Sequence, residues 1–320
     1  MEYPFDLHLT PIRLICQATT PMHLAIHAGA QWRGALWDAL RSFACTDTTQ
    51  QGKPEHSWHC PMCFLLALEA ESPRGINPAR PLVIRPPIPV RAGEECHFAP
   101  GEHFSFDLLL IGQAANLFPY VIQAAQRIGQ QGFAYGRGCY LLERVESIQP
   151  LSNTRRMLYE SGGRVNLPDA PITAAEVTEV AERLPAERLW LRFLTPTQLT
   201  EGEKTLNRPQ VEALIKRTVE RLQSLEYHYG QATPHEVWKA RHDALSTQAA
   251  RVRIVRDETR WIRAFSGSQR AKRMQDVSGF VGGSLLEGDL AALRPWLVWA
   301  ALVNVGKNII KGNGWMEVSA

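Results

Sequence analysis

"FPYVIQAAQRIGQQGFAYGRGCY" (118–140) and "PWLVWAALVNVGKNIIKGNGWMEV" (295–318) share one plan, and that plan sets the fold. Each begins at a proline, Pro119 or Pro295, and runs through an apolar-rich stretch to a glycine, Gly129 or Gly306. Each then reaches a G-x-G pair, Gly136 and Gly138 or Gly312 and Gly314, and turns into a short strand. The likeness continues upstream. "FSFDLLLIGQAANLFPYV" (104–121) and "GFVGGSLLEGDLAALRPWLV" (279–298) both read as strand, glycine-bearing turn and helix. An internal repeat of this length points to a duplicated domain.

The openings of the two halves agree as well. "FDLHLTPIRLICQA" alternates as a strand does and carries a Thr-Pro pair, as does "LWLRFLTPTQLT" (189–200). "GAQWRGALWDALRSFAC" (29–45) places Trp32, Leu36, Leu40 and Phe43 at helical spacing, which predicts an amphipathic helix. "NRPQVEALIKRTVERLQSLEYH" (207–228) is the matching helix, with Asn207 as its expected cap and Pro209 at an early position. "PLVIRPPIPV" is extended but broken by proline, which argues against a central strand. Each half thus offers strand, helix, strands, helix and strand. The expected class is α+β, with tandem ferredoxin-like (RRM-like) domains, each an antiparallel sheet with two helices on one face. The expected division is an N-terminal domain over 1–150 with an insertion at 45–63, a linker over 151–186, and a C-terminal domain over 187–320.

Bulk composition bounds the function only loosely. The 320 residues are 45% hydrophobic and 21% charged, an ordinary globular balance, with room for two domains of about 150 residues. A formal net charge of +3 says little about a polyanionic partner, so local charge has to carry that argument. No apolar run is long enough to span a bilayer, and six cysteines do not form a secreted disulfide framework. The expected location is the cytoplasm.

Charge is concentrated in one place. "RVRIVRDETRWIRAFSGSQRAKR" (251–273) holds Arg251, Arg253, Arg256, Arg260, Arg263, Arg270, Lys272 and Arg273 against only Asp257 and Glu258. Trp261 and Phe265 lie within it. Arginines on a strand grip phosphates and exposed aromatics stack on bases, so the expected partner is RNA. Gly306, Lys307, Lys311, Gly312 and Gly314 form a second candidate surface, where glycine lets a phosphate approach the main chain. The lysine spacing excludes a P-loop.

"CTDTTQQGKPEHSWHCPMC" (45–63) suggests a metal knuckle. Cys60 and Cys63 form a C-x-x-C pair, and Cys45 with His56 completes four ligands for a structural zinc. That choice leaves His59 available as an acid or base. A set of ordinary reduced cytosolic cysteines remains the alternative.

On these residues the chain resembles the RAMP superfamily of CRISPR-associated proteins, nearest to the Cas6-like endoribonucleases that process precursor CRISPR RNA. The resemblance is carried by "FPYVIQAAQRIGQQGFAYGRG", "RWIRAFSGSQRAKRMQDVSGFVGG", "PWLVWAALVNVGKNIIKGNG" and "QWRGALWDAL". It implies cleavage within each repeat without a catalytic metal, leaving 5′-hydroxyl and 2′,3′-cyclic phosphate ends, and retention of the product, CRISPR RNA, for an effector complex. It also implies that the glycine loop from Gly306 touches RNA and packs between the domains. The family's catalytic histidine lies near the first helix, often just past its end. Here no histidine directly follows "WDALRSFACT"; His23 and His27 precede the helix, and His56 and His59 follow it. His59 and His27 are the leading catalytic candidates, with Lys53 and Arg33 as charge stabilisers. The competing reading is a non-catalytic RAMP subunit that holds CRISPR RNA within an effector complex. A scaffold that binds other proteins would leave the arginine stripe without a purpose.

Overall fold

The computed structural model describes residues 6–45, 47–51, 53–69, 78–91, 93–268 and 273–320. In the first half β1 (Leu9–Ala18), α1 (Ala28–Ala44), β2 (Leu82–Arg85), β3 (His103–Ile111), α2 (Phe118–Gln131), β4 (Tyr140–Gln149) and β5 (Thr154–Glu160) follow one another. Their antiparallel sheet has the order β2-β3-β1-β4-β5. The first four strands and two helices make the ferredoxin-like unit, and β5 extends it at one edge. The proline-broken run supplies β2, which is an edge strand because the prolines that follow have no N–H to donate.

After α3 (Ala174–Arg183) the pattern repeats in β6 (Arg188–Thr197), α4 (Val211–Tyr229), α5 (His235–Ala249), β7 (Arg253–Asp257) and β8 (Arg260–Ile262). A hairpin of β9 (Phe265–Ser268) and β10 (Arg273–Asp276) leads to β11 (Gly279–Glu287), α6 (Arg294–Val303) and β12 (Met316–Ser319). The second sheet has the order β7-β11-β6-β12, with β8 also paired to β11. Two copies of one topology therefore account for the repeated sequence.

Several details differ from the sequence reading. Residues 151–186, expected as a linker, contain β5, which pairs with β4; the short helix that "ITAAEVTEVAERL" predicts is there as α3, which starts with a capping box between Thr173 and Glu176. The segment is built into both halves. α4 starts at Val211, so Asn207 is not its cap; the strand Lys204–Leu206 precedes it, and Pro209 disfavours helix at Arg208. The basic stretch, expected as one strand, is divided at Glu258 and Thr259, where Gly282 of β11 takes φ 118 and the register shifts.

The halves share a core. One face of the first sheet, through Ile12, Leu14 and Phe106, packs on Trp32, Leu36 and Leu40 of α1 and Val121, Ala125 and Ile128 of α2. On the other side Leu9, Val83, Leu109 and Ile111 join Leu214 and Leu222 of α4 and Trp296 and Trp299 of α6. Burial of large apolar side chains from both halves in one cluster holds them together.

Candidate active centre and RNA interface

The glycine loop after α6 lies at that junction. A side chain on Gly29 of α1 would overlap the carbonyl of Lys311, and one on Gly312 would come 3.0 Å from the carbonyl oxygen of Ile84 in β2. Gly312 has φ 90 and Gly314 has φ 76, conformations that only glycine adopts without strain. Both are buried, and Gly306 packs against the carbonyl of Gln198. These three glycines shape the loop from within. The expectation that all three present backbone to phosphate is corrected for Gly312 and Gly314; exposed Lys307 is the open part.

A buried arginine anchors the loop. Arg85 Nη2 donates to the carbonyls of Ala301 and Leu302, both at 2.7 Å, at the C-terminal end of α6. Arg85 Nε donates to Asn304 Oδ1 at 3.1 Å, and the guanidinium lies 5.1 Å from the Trp315 ring centre. Asn304 in turn donates to the carbonyl of Asn313. Arg221 Nε donates to the carbonyl of Val303 at 2.8 Å. Two cations thus meet the negative end of one helix. Burial pulls each pKa down to about 10, and Asp107 offsets part of this at Arg85, so both stay charged at neutral pH. Asp107 lies opposite Arg85 and Arg13 in the sheet register and accepts a two-bond fork from Arg13 at 2.7 Å. Sequence reading missed Arg85; a lone charge inside "PLVIRPP" was the available signal.

The charge of Lys311 acts on His27, and that of Arg33 on Lys311, where α1 begins against the loop. His27 occupies the N-cap position of α1 and is half-buried. Burial lowers its pKa, Glu95 raises it, and the Lys311 charge lowers it again. Lys311 is lowered by burial and then by the charge of Arg33. Its Nζ donates to Ser266 Oγ at 3.1 Å and to Gln275 Oε1, so the β9–β10 hairpin holds it. Asn308 and Asn313 brace the loop on the same hairpin through the carbonyls of Asp276 and Val277. Arg33 lies over Trp37 at 5.3 Å. Beside them, His23 is 2.5 Å from Glu95 and stacks on His97 with ring centres 4.3 Å apart. Glu95 and His97 were not singled out in the sequence, where "EECH" is their only trace.

His59 and Lys53 are elsewhere. Both are exposed and flank the short helix Pro54–His59 beyond the C-terminal end of α1. With 17 residues α1 is about 25 Å long, so this pair is not brought to His27 and Arg33. At that far end Cys45, His56, Cys60 and Cys63 converge, with their donor atoms all within 4.8 Å of one another. His59 is not in the group. His228 packs on Trp58 and Tyr229, as a helix-packing histidine does.

Of the expected arginine stripe, Arg251, Arg253, Arg256, Arg260 and Arg263 are exposed. Arg270 and Lys272 lie outside the described residues, and Arg273 is described only as a position in β10. Arg256 pairs with Glu258 and lies over Trp190; Arg253 is 3.9 Å from Glu287. Arg188, Trp190 and Arg192 of β6 alternate with buried Leu189, Leu191 and Phe193. They share the sheet face away from the helices, so the basic surface is wider than the stripe.

Residues 7–170 match the model of the AF_1859_N family, described as an N-terminal domain. Residues 191–316 match the model described as CRISPR-associated endoribonuclease Cas6. The chain belongs to the AF_1859_N family, whose model matches just over half of it, and its C-terminal part is similar to the CRISPR-associated endoribonuclease Cas6. Similar solved structures include a product complex of Cas6 (TTHB231), at 17% identity and a TM-score of 0.57, covering 97% of this chain and 99% of that one. Thermus thermophilus Cas6 (TTHB231) is similar at 15% identity, a TM-score of 0.55 and 98% coverage of both chains. A product complex of Cas6 (TTHA0078) is similar at 14% identity and a TM-score of 0.53, covering 98% of this chain and all of the other. These show a shared fold over nearly the full length. No curated protein matches the chain. Among the described residues, no helix is long and apolar enough to cross a membrane.

Proposed function

We propose that the chain is an endoribonuclease that cuts precursor CRISPR RNA within its repeats and retains the product. The carrying observation is the close approach of the start of α1, with His27, to the glycine loop, where Gly29 meets the Lys311 carbonyl, the Lys311 charge acts on His27 and that of Arg33 acts on Lys311. Burial and Lys311 favour the neutral imidazole, the form that accepts a proton. His27 takes the proton of a ribose 2′-hydroxyl. The 2′-oxygen then bonds to phosphorus, the bond from phosphorus to the 5′-oxygen breaks, and that oxygen leaves and takes a proton from solvent water. The products are a 2′,3′-cyclic phosphate and a 5′-hydroxyl. Lys311 and Arg33 offset the negative charge that builds on phosphorus oxygens. His27 is preferred to His59 because it stands where α1 meets the glycine loop and feels the Lys311 charge, whereas His59 lies beyond the other end of α1. The arginines of β7 and β8 and exposed Lys307 hold the strand. No metal takes part in this chemistry, and an ion held at Cys45 would lie at the other end of α1.

The test is end-labelled repeat RNA from the protein's own locus, incubated with and without excess EDTA, with both product ends mapped. One cut in both samples, with a cyclic phosphate end, supports the nuclease. Tight binding without a cut in either sample overturns it in favour of a subunit that holds CRISPR RNA.

A further inference from the structure

We infer that Cys45, His56, Cys60 and Cys63 bind one structural zinc ion, which locks the 45–67 segment onto the end of α1 and against α4. Cys45 caps the C-terminal end of α1, His56 lies in the helix Pro54–His59, Cys60 caps that helix, and Cys63 begins the turn of helix that follows. The amide of Cys60 donates to the carbonyl of His56, which puts these two side chains on one helical face, and Cys63 follows within a turn. Cys45 Sγ is 3.9 Å from Cys63 Sγ and 3.5 Å from His56 Nε2. Donors around zinc at about 2.3 Å for sulfur and 2.0 Å for nitrogen sit about 3.5–3.8 Å apart in a tetrahedron. Those two separations already have that size, and the rest of the set lies within 4.8 Å.

Chemistry selects the ion. Three thiolates and one imidazole in a closed tetrahedron suit zinc and leave no open position for a substrate. All three cysteines are buried, as a structural site requires. Three thiolates on one zinc leave a net negative charge, and the Gln51 amide nitrogen lies 3.7 Å from Cys45 Sγ to offset it. The pinned segment then carries Trp58 and Phe64 to the end of α4. Trp58 lies 6.5 Å from His228, and Phe64 meets Tyr229 edge-on at 6.0 Å. The ion would thus strengthen contact between the halves while standing far from His27.

The proposal is independent of the RNA reading, because its primary measurement is metal content. The full-length protein, produced reduced and desalted, is assayed for zinc by mass spectrometry. Cobalt is then exchanged in and its visible spectrum recorded. The expected result is about one zinc per chain, with the intense thiolate-to-cobalt band and visible bands of a tetrahedral site. His59→Ala should keep the zinc, and Cys60→Ser with Cys63→Ser should lose it. A reduced, zinc-loaded wild-type chain that retains no metal overturns the proposal, and this needs no variant to fold. So does a cobalt spectrum without a thiolate band. Zinc that disappears in His97→Ala but persists in the double cysteine variant would place the ion at the His23–Glu95–His97 group and also overturn it.

Discussion

The main chain of Gly29 touches that of Lys311: α1 begins so close to the glycine loop that a single methyl on Gly29 would overlap the Lys311 carbonyl. Helix and loop belong to different halves, so this contact sets how closely the start of α1, with His27, approaches the loop that carries Lys311. Gly29→Ala must push the loop away or bend the helix. Overpacking of this kind costs about 1–3 kcal/mol. The expected outcome is a lower melting temperature and cleavage slowed by about 100-fold through misplacement, with RNA affinity little changed. Thermal melts, single-turnover cleavage and binding isotherms on one preparation check it. A slow enzyme with full stability and normal affinity would show that the gap matters for chemistry alone.

His27→Ala should reduce cleavage by about 100- to 10,000-fold without loss of binding, the range of a lost acid–base group. The pH profile adds a sign. His27 is held below the ordinary histidine value of 6.5, and the active form is the neutral one. Activity is therefore present at pH 6.5 and falls only as pH drops through the lowered value. Lys311→Ala removes a charge that depresses His27, so the acid limb of kcat/KM should move to higher pH. His59→Ala should leave the limb where it is. A profile that shifts with His59→Ala and not with Lys311→Ala would move the active centre to the far end of α1.

The duplication was legible because prolines, paired glycines and apolar runs mark the same boundaries twice, and each half folds to the same strand order. The Cys/His grouping was legible because its four residues lie within one short segment, where spacing limits geometry. The approach of His27 to the Lys311 loop was not, since the two come from opposite ends of the chain and are brought near each other by the packing of α1 on the loop. Helix spacing separates Lys53 and His59 from His27, but sequence alone does not say which end of α1 faces the loop. α5 also escaped notice. "HEVWKARHDALSTQA" is polar around most of its surface and buries only Trp238, Leu245 and Ala249. Arg85 was hidden by its surroundings, because its partners are main-chain carbonyls that no residue type announces.

Arg85→Ala should unfold the junction before any other single change in the loop. It strips donors from the carbonyls of Ala301 and Leu302 and from Asn304 Oδ1, and it leaves Asp107 with one cation fewer nearby. Loss of one partner from such a buried charged network costs about 3–5 kcal/mol. Arg85→Lys should recover only a minor part, because an ammonium lacks the planar fork that reaches three acceptors. Urea unfolding of the three proteins checks both statements; equal midpoints for wild type and Arg85→Lys would show that charge, not geometry, anchors the loop.

RNA affinity should depend more on Arg251 and Arg263 than on Arg253 and Arg256. All four are exposed, but Arg253 faces Glu287 and Arg256 pairs with Glu258, so part of their charge is already met within the protein. Each phosphate contact to a single strand contributes about 0.7 to the slope of log affinity against log salt. Arg251→Ala combined with Arg263→Ala should therefore weaken binding and flatten that slope by about 1.4, with stability unchanged. Arg253→Ala combined with Arg256→Ala should flatten it less. Fluorescence anisotropy of a labelled repeat over a salt series reads both. Equal slopes for the two double variants would mean that bound RNA displaces Glu287 and Glu258 and takes all four guanidinium groups. A slope that neither double variant alters would move the RNA track off this edge, to Arg188, Trp190 and Arg192 on the open face of β6.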